Sequence, residues 1–115
     1  MSETVFTFPL RVYYEDTDAG GIVYYANYLK FFERARTEWL RALGLEQDLL
    51  LSNNVAFVVT QVLMDNKKPA RFNELLTVSS QISTLKQASM VFEQEIHNSA
   101  AQLVCSAHIK VACSK

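Results

Sequence analysis

Apolar and polar positions follow two different periods along this chain. Between positions 26 and 43 the apolar residues Tyr28, Phe31, Phe32, Ala35, Trp39, Ala42 and Leu43 recur at steps of three and four. Lys30, Glu33, Arg34, Arg36, Glu38 and Arg41 fill the opposite side. That spacing predicts one amphipathic helix with a buried face. Asn27 stands where an N-cap is wanted and Gly44 where a helix stops. On the polar side Arg34–Glu38 and Glu38–Arg41 are spaced to pair, each worth a few tenths of a kcal/mol.

Elsewhere the period falls to two. Residues 4–14 (TVFTFPLRVYY) are rich in β-branched and aromatic types and read as a first strand, with Pro9 marking an edge or a bulge. Residues 55–70, 74–85, 90–97 and 103–113 read as four more strands, the first ending at Pro69. In 90–97, Met90, Phe92 and Ile96 alternate with Glu93, Glu95 and His97, which gives one buried and one wetter face. The connectors after 85 and 97 are short, so the last three strands form an antiparallel meander. Residues 45–53 (LEQDLLLSN) have room for a short extra helical turn. One strand, a long helix and four strands predict an α+β domain, an antiparallel sheet wrapped around a single helix.

Length and charge narrow the setting. A chain of 115 residues holds one core, so positions 1–115 make a single domain. Half its residues are apolar and the net charge is −1, which gives no general pull toward nucleic acid or an anionic membrane. No apolar run has the roughly 20 residues of a transmembrane segment, and the N-terminus lacks the pattern of an export signal. Cys105 and Cys113 fall eight apart in one predicted strand, beyond disulfide reach of each other, so free thiols and a cytoplasmic location are expected. Strands apolar on both faces exceed what one helix can cover, which predicts a homo-oligomer.

The chemistry concentrates in residues 14–36, YEDTDAGGIVYYANYLKFFERAR. Glu15, Asp16 and Asp18 precede Gly20 and Gly21, and the helix follows. A calcium loop is excluded, because Gly20 and Asn27 occupy positions where oxygen ligands are needed and a strand precedes the loop. The scattered histidines and cysteines lack the spacing of a transition-metal site, so no metal is expected. A solvated turn explains acids and glycines in a connector. The apolar flanks, Val12-Tyr13-Tyr14 and Ile22-Val23-Tyr24-Tyr25, argue instead that the loop is partly buried, and glycine lets another group approach the backbone. A third reading uses both halves. Unpaired amides in the first helical turn polarise a carbonyl oxygen, and a carboxylate upstream meets the carbonyl carbon. This suits an activated ester such as a thioester, whose thiolate leaves without a strong acid.

The segment VYYEDTDAGGIVYYANYLKFFERAR closely resembles the signature of the hotdog-fold thioesterases of the 4-hydroxybenzoyl-CoA thioesterase family. Within that family it is most similar to the Tol–Pal-associated acyl-CoA thioesterases of the YbgC type. The likeness continues through VAFVV, PARFNELL and VFEQEI. The resemblance implies a hotdog fold, a five-stranded antiparallel sheet wrapped around one long central helix. It also implies an acyl-CoA thioesterase acting on short- or medium-chain acyl thioesters. The family's catalytic carboxylate falls on Asp18, and its carbonyl-polarising backbone amide on Tyr25. Asp16 supports the loop, and Glu15 has no assigned role. Close relatives often carry His where this chain has Tyr25.

From their types and positions Gly20, Gly21, Tyr24 and Lys86 are expected to contact substrate. Coenzyme A is part of that substrate and no separate cofactor is expected. A homo-oligomer, either a dimer or a homotetramer built as a dimer of dimers, and acyl carrier protein as an alternative carrier are also expected. Lys67, Lys68, Arg71 and Lys86, at predicted strand ends, are candidates for phosphate contacts, although each taken alone is more often a solvated side chain. Tyr24, Tyr28, Phe31 and Phe32 either line an acyl pocket or are plain core. His97 and His108 read as structural, and Ser89 and Ser106 lack the surroundings of a serine nucleophile. Two rival functions are a non-catalytic scaffold that binds acyl carrier protein and a 3-hydroxyacyl-thioester dehydratase. The latter wants a histidine that this helix start does not carry.

Overall fold

The computed structural model describes residues 4–44 and 56–114. The chain runs β1 (Phe6–Arg11), a single 3-10 turn (Tyr14–Asp16), α1 (Asn27–Ala42), β2 (Ala56–Asn66), β3 (Leu75–Leu85), β4 (Ser89–His97) and β5 (Leu103–Ser114). The five strands form one sheet in the order β1-β3-β4-β5-β2, and every pairing is antiparallel. The helix lies across one face of this sheet, which is the α+β hotdog architecture expected above. The helical turn expected at 45–53 lies outside the described residues.

The first strand is shorter than its apolar run because the chain bends into the 3-10 turn at Tyr14. Pro9 is on an edge strand, where the proline nitrogen has no ladder bond to forfeit. Gly44 ends the helix with φ of 84°, a conformation that glycine adopts without strain. Asn27 is not the N-cap. Ala26 holds that position in αR geometry with no side-chain cap, and Asn27 begins the helix with its amide turned back to the acidic loop.

One face of the sheet supplies Leu76, Val78, Phe92, Ile96, Ala107, Ile109 and Val111 to the core. The helix answers with Tyr28, Phe31, Phe32, Ala35 and Trp39, and Trp39 stands edge-on to Phe92. The expected helix face shifts slightly. Ala42 and Leu43 are exposed while Leu40 is buried, because the last turn runs past the end of the sheet's cover.

The larger correction is Arg36, expected on the wet side and found 9% exposed. It follows Ala35 and sits one turn after Phe32, so its stem crosses the margin of the apolar face while its guanidinium reaches the inner row of β4. There Gln94 replaces an apolar residue and is 1% exposed. The Gln94 Oε1 accepts from Arg36 Nη1 at 3.0 Å, and its Nε2 donates to the Phe32 carbonyl and to Ser80 Oγ at 3.1 and 2.8 Å. A buried amide thus satisfies three neighbours at the centre of helix–sheet contact.

The far edge differs from the rest. On β2, Val58, Val59, Val62 and Leu63 are all exposed, and the register with β5 shifts between Val59 and Gln61. Along this eleven-residue edge strand, the backbone groups turned away from β5 have no ladder partner among the described residues, beside apolar side chains.

Replacing Gln94 by Leu keeps the volume and removes the amide, leaving the Arg36 charge without its acceptor. The expected outcome is a loss of about 2–4 kcal/mol, read as a lower urea midpoint with unchanged slope.

Candidate active site

The acidic loop folds on the buried carboxylate of Asp16, which is 5% exposed. Its Oδ2 accepts the Tyr13 N–H at 2.8 Å, closing the 3-10 turn. Its main-chain carbonyl accepts the Tyr24 N–H at 3.1 Å and the Asn27 Nδ2 at 3.0 Å. One residue therefore fastens the end of β1, the strand-like return at Val23–Tyr24 and the first residue of the helix. Two further ties hold the loop to the connector before β3: Val23 N–H to the Ala70 carbonyl at 2.8 Å and Phe72 N–H to the Gly21 carbonyl at 3.1 Å.

Asp18 sits at the tip of this loop and is exposed in the single chain, so the expected burial belongs to Asp16 and not to Asp18. The tip is a tight hairpin, with Asp18 N–H bonded to the Ile22 carbonyl at 2.9 Å. Its carboxylate Oδ1 accepts the Gly20 N–H at 2.9 Å and the Ile22 N–H at 3.4 Å. The second oxygen, Oδ2, has no bonding partner among the described residues. One oxygen is pinned by the backbone and the other is not.

The two glycines have distinct reasons. A Cβ on Gly20 would stand 3.3 Å from Asp18 Oδ1, so the close approach expected at this pair is made by the loop's own carboxylate. Gly21 has φ of 79°, which the hairpin needs and other residues resist.

The helix start supplies the donors. The first turn closes with Asn27 N–H to the Tyr24 carbonyl and Tyr28 N–H to the Tyr25 carbonyl, at 2.8 and 3.2 Å. The N–H groups of Tyr25 and Ala26 have no acceptor among the described residues, and they stand at the positive end of the helix dipole. Tyr24 and Tyr25 are both about half exposed with their rings 5.1 Å apart. Tyr25 also borders a cleft of about 310 Å³ with Ile22, Tyr28, Asn66, Lys67, Lys68 and Pro69. Two cations thus stand beside the helix start, although Lys67 is shared with Asp65 at 2.7 Å.

Lys86 is placed otherwise. It is exposed in the β3–β4 hairpin, at the end of β3 away from the loop. Eleven residues of strand separate it from Leu75, about 33 Å at the usual rise, so within one chain it cannot join Asp18 and Tyr25. Tyr28, Phe31 and Phe32 are core, and only Tyr28 also reaches the cleft. Its hydroxyl accepts the Ala70 N–H at 3.2 Å, and burial raises its pKa. His97 and His108 lie on the outer sheet face beside Glu95 and Glu93. Sequence reasoning missed Asn66, Pro69 and the fastening role of Asn27. The signal for Asn27 was a side-chain amide directly at a helix start without a capping geometry to use it.

Comparison with known proteins places the chain in a family. A sequence profile of the Thioesterase superfamily matches residues 20–105. The chain is 48% identical over 114 residues to the acyl-CoA thioesterase YbgC of Haemophilus influenzae, covering 98% of this chain and 83% of that protein. It is 44% identical over 113 residues to the acyl-CoA thioester hydrolase YbgC of Escherichia coli, covering 98% and 84%. Its backbone superposes on the crystal structure of a probable thioesterase from Bartonella henselae with a TM-score of 0.92 at 36% identity, covering 97% and 93%.

Beside the cleft, burial pushes the Cys105 thiol up to about 12, with the Asp65 charge adding to the shift. The thiol form prevails in the folded chain, so Cys105 is expected to resist iodoacetamide at about pH 8 and to react once urea unfolds the protein. Its contribution to stability is intact below the usual thiol value of 9.0 and is lost as pH rises toward 12. Mass mapping of the modified cysteines and a denaturation series above pH 9 check both statements.

Proposed function

The chain belongs to the thioesterase superfamily, and from that premise we infer that it is an enzyme, an acyl-CoA thioesterase that hydrolyses short- or medium-chain acyl thioesters. The observation that carries the mechanism is a pairing within one short segment. A carboxylate is held through a single oxygen at Asp18, and two amides without acceptors among the described residues open the helix at Tyr25 and Ala26.

The acyl carbonyl oxygen accepts the Tyr25 N–H, so charge that builds on it in the tetrahedral intermediate meets the helix terminus. Asp18 acts through Oδ2 in one of two ways. As general base it takes a proton from water while the hydroxide adds to the acyl carbon and the carbon–sulfur bond breaks. As nucleophile it forms a mixed anhydride as the thiolate leaves, and water then cleaves the anhydride. Either way the products are a carboxylic acid and the free thiol of coenzyme A, which gains the proton taken from water. No cofactor is needed, because the thiolate is a good leaving group. A backbone donor is indifferent to its own side chain, which is why Tyr25 serves where relatives often carry His. Lys67 and Lys68 border the route from the helix start to the surface and suit the phosphates of coenzyme A or the acidic face of an acyl carrier protein.

The exposure of Asp18 in one chain calls for a cover. A second copy adding to the β2 edge would supply it, and would bury Val58, Val59, Val62 and Leu63 at the same time. The homotetramer, a dimer of such dimers, and the Tol–Pal association rest on the resemblance of residues 14–36. Two free thiols support a cytoplasmic location. Lys86 belongs to this reading only if a neighbouring subunit brings it to the site.

Asp18→Asn keeps the loop hydrogen bonds through its remaining carbonyl oxygen. It should lower kcat on acyl-CoA thioesters by about 10²–10⁴-fold, with the circular dichroism spectrum and the oligomer size unchanged. Undiminished turnover in that variant would remove Asp18 from the mechanism. A wild type that binds acyl carrier protein yet hydrolyses nothing would instead point to a scaffold. Repeated turnover in heavy-oxygen water separates the two roles: label in the Asp18 carboxylate requires attack by Asp18 itself.

A further inference from the structure

The cleft beside the helix start is bordered by a phenol whose hydrogen bonding is half used. Tyr28 is 3% exposed, yet it lines that cleft together with Tyr25, Asn66, Lys67 and Lys68. Its hydroxyl oxygen accepts the Ala70 N–H at 3.2 Å. A phenol also donates, and a buried tyrosine usually finds an acceptor for that O–H. The Tyr28 O–H has no acceptor among the described residues. Burial raises its pKa, so the proton stays on the oxygen at neutral pH.

The ring is held from two sides. Tyr28 lies one turn beyond Tyr25, and a helical aromatic leans back toward the N-terminus, which turns the phenol toward the segment carrying the Tyr25 amide. Ala70 fixes the far end. Its N–H holds the hydroxyl, and its carbonyl holds the Val23 N–H at 2.8 Å, just ahead of Tyr24 and Tyr25. Phe31 meets the ring edge-on, with centroids 6.0 Å apart. The donor is therefore fixed within one chain, and its place does not depend on what covers the β2 edge.

The other side chains of the cleft show which part of a thioester comes here. Lys67 and Lys68 are exposed and suit phosphate, so the cleft faces the carrier half of the substrate and not the acyl half. The Asn66 Oδ1 accepts from the Cys105 thiol at 3.4 Å, which leaves its amide N–H groups as further donors. The cleft thus combines a buried neutral donor at the helix with charged donors at the surface. A matching carrier arm has a neutral carbonyl close to its sulfur and an anionic group farther off. Phosphopantetheine has both: a two-carbon unit separates the sulfur from an amide, and a phosphate ends the arm.

We propose that the Tyr28 hydroxyl donates a hydrogen bond to the pantetheine amide carbonyl nearest the sulfur, and that this contact makes the enzyme prefer pantetheine thioesters over simple alkyl thioesters. The proposal rests on the thioesterase reading above and names the carrier feature that the site recognises. Coenzyme A and acyl carrier protein share this amide, so one hydroxyl serves either carrier. An alkyl arm would instead leave the buried donor without an acceptor in the complex.

The test compares acyl-pantetheine with the same thioester in which that amide is replaced by two methylene groups. Neither molecule carries a phosphate, so Lys67 and Lys68 do not contribute. Each kcat/KM is divided by the rate of the same thioester with hydroxide ion, which removes the difference in leaving group. On that scale the wild type should favour acyl-pantetheine by about tenfold, chiefly through KM. In Tyr28→Phe the preference should fall to near one. Loss of the hydroxyl also orphans the Ala70 N–H, but a purely structural role slows both substrates alike and leaves their ratio where it was. A ratio in Tyr28→Phe equal to that of the wild type therefore overturns the inference. A wild-type ratio near one overturns it as well, with no variant that must fold, and leaves the thioesterase reading standing. Hydrolysis of acyl-CoA with neither smaller thioester turned over has the same result, because recognition then lies in the nucleotide. Absence of turnover on acyl-CoA too sinks the thioesterase reading and the inference together.

Discussion

The geometry of the acidic loop and the helix start depends on one buried aspartate, Asp16. Asp16 is withdrawn from water: its carboxylate accepts the Tyr13 N–H, while its main-chain carbonyl takes the Tyr24 N–H and the Asn27 side-chain amide from the far side of the loop. Burying an acid costs free energy unless hydrogen bonds replace its hydration, so the loop has a single low-energy path around it. That path fixes where the helix begins, and hence where its first free amides stand. Asp18, two residues later, rides on a hairpin whose shape is set by Gly21 and by its own carboxylate. Rigidity in the support and freedom in one oxygen are complementary requirements, and neighbouring aspartates divide them.

Much of the fold was legible in the sequence. The helix was found to within a residue at each end, because sixteen residues of strong three-four periodicity leave little room for alternatives. The last three strands and their order followed from short connectors. What escaped was local and physical. Asn27 looked like a cap, but the chain enters the helix through αR geometry at Ala26, which leaves a cap side chain nothing to bind. Arg36 looked wet because a charge at the margin of an apolar face is normally solvated. The clue lay far off in sequence, where β4 reads Met90, Phe92, Gln94, Ile96 on its inner side and the amide breaks an apolar row.

The site was legible in the same uneven way. Asp18, Gly20, Gly21, Tyr24 and Tyr25 are neighbours in sequence, so a loop and a helix start were enough to gather them. Lys86 is not, and no spacing argument could tell that β3 carries it to the opposite end of the sheet. Burial is legible only in part: the apolar flanks imply a partly buried loop, as found, but not that the cover falls on Asp16 and leaves Asp18 exposed. Proximity along the chain predicts proximity in space, but not which side chain of a cluster turns inward.

The irregularity in β2 has a consequence for assembly. An edge this long and apolar invites strand addition without limit, the route by which sheets grow into fibrils. The register shift between Val59 and Gln61 places a bulge in mid-strand, and a bulge bends and twists its strand locally. A flat, indefinitely stacking template is thereby spoiled, while a partner with the matching bend can still dock. The same kink that interrupts the ladder acts as a gatekeeper against open-ended stacking.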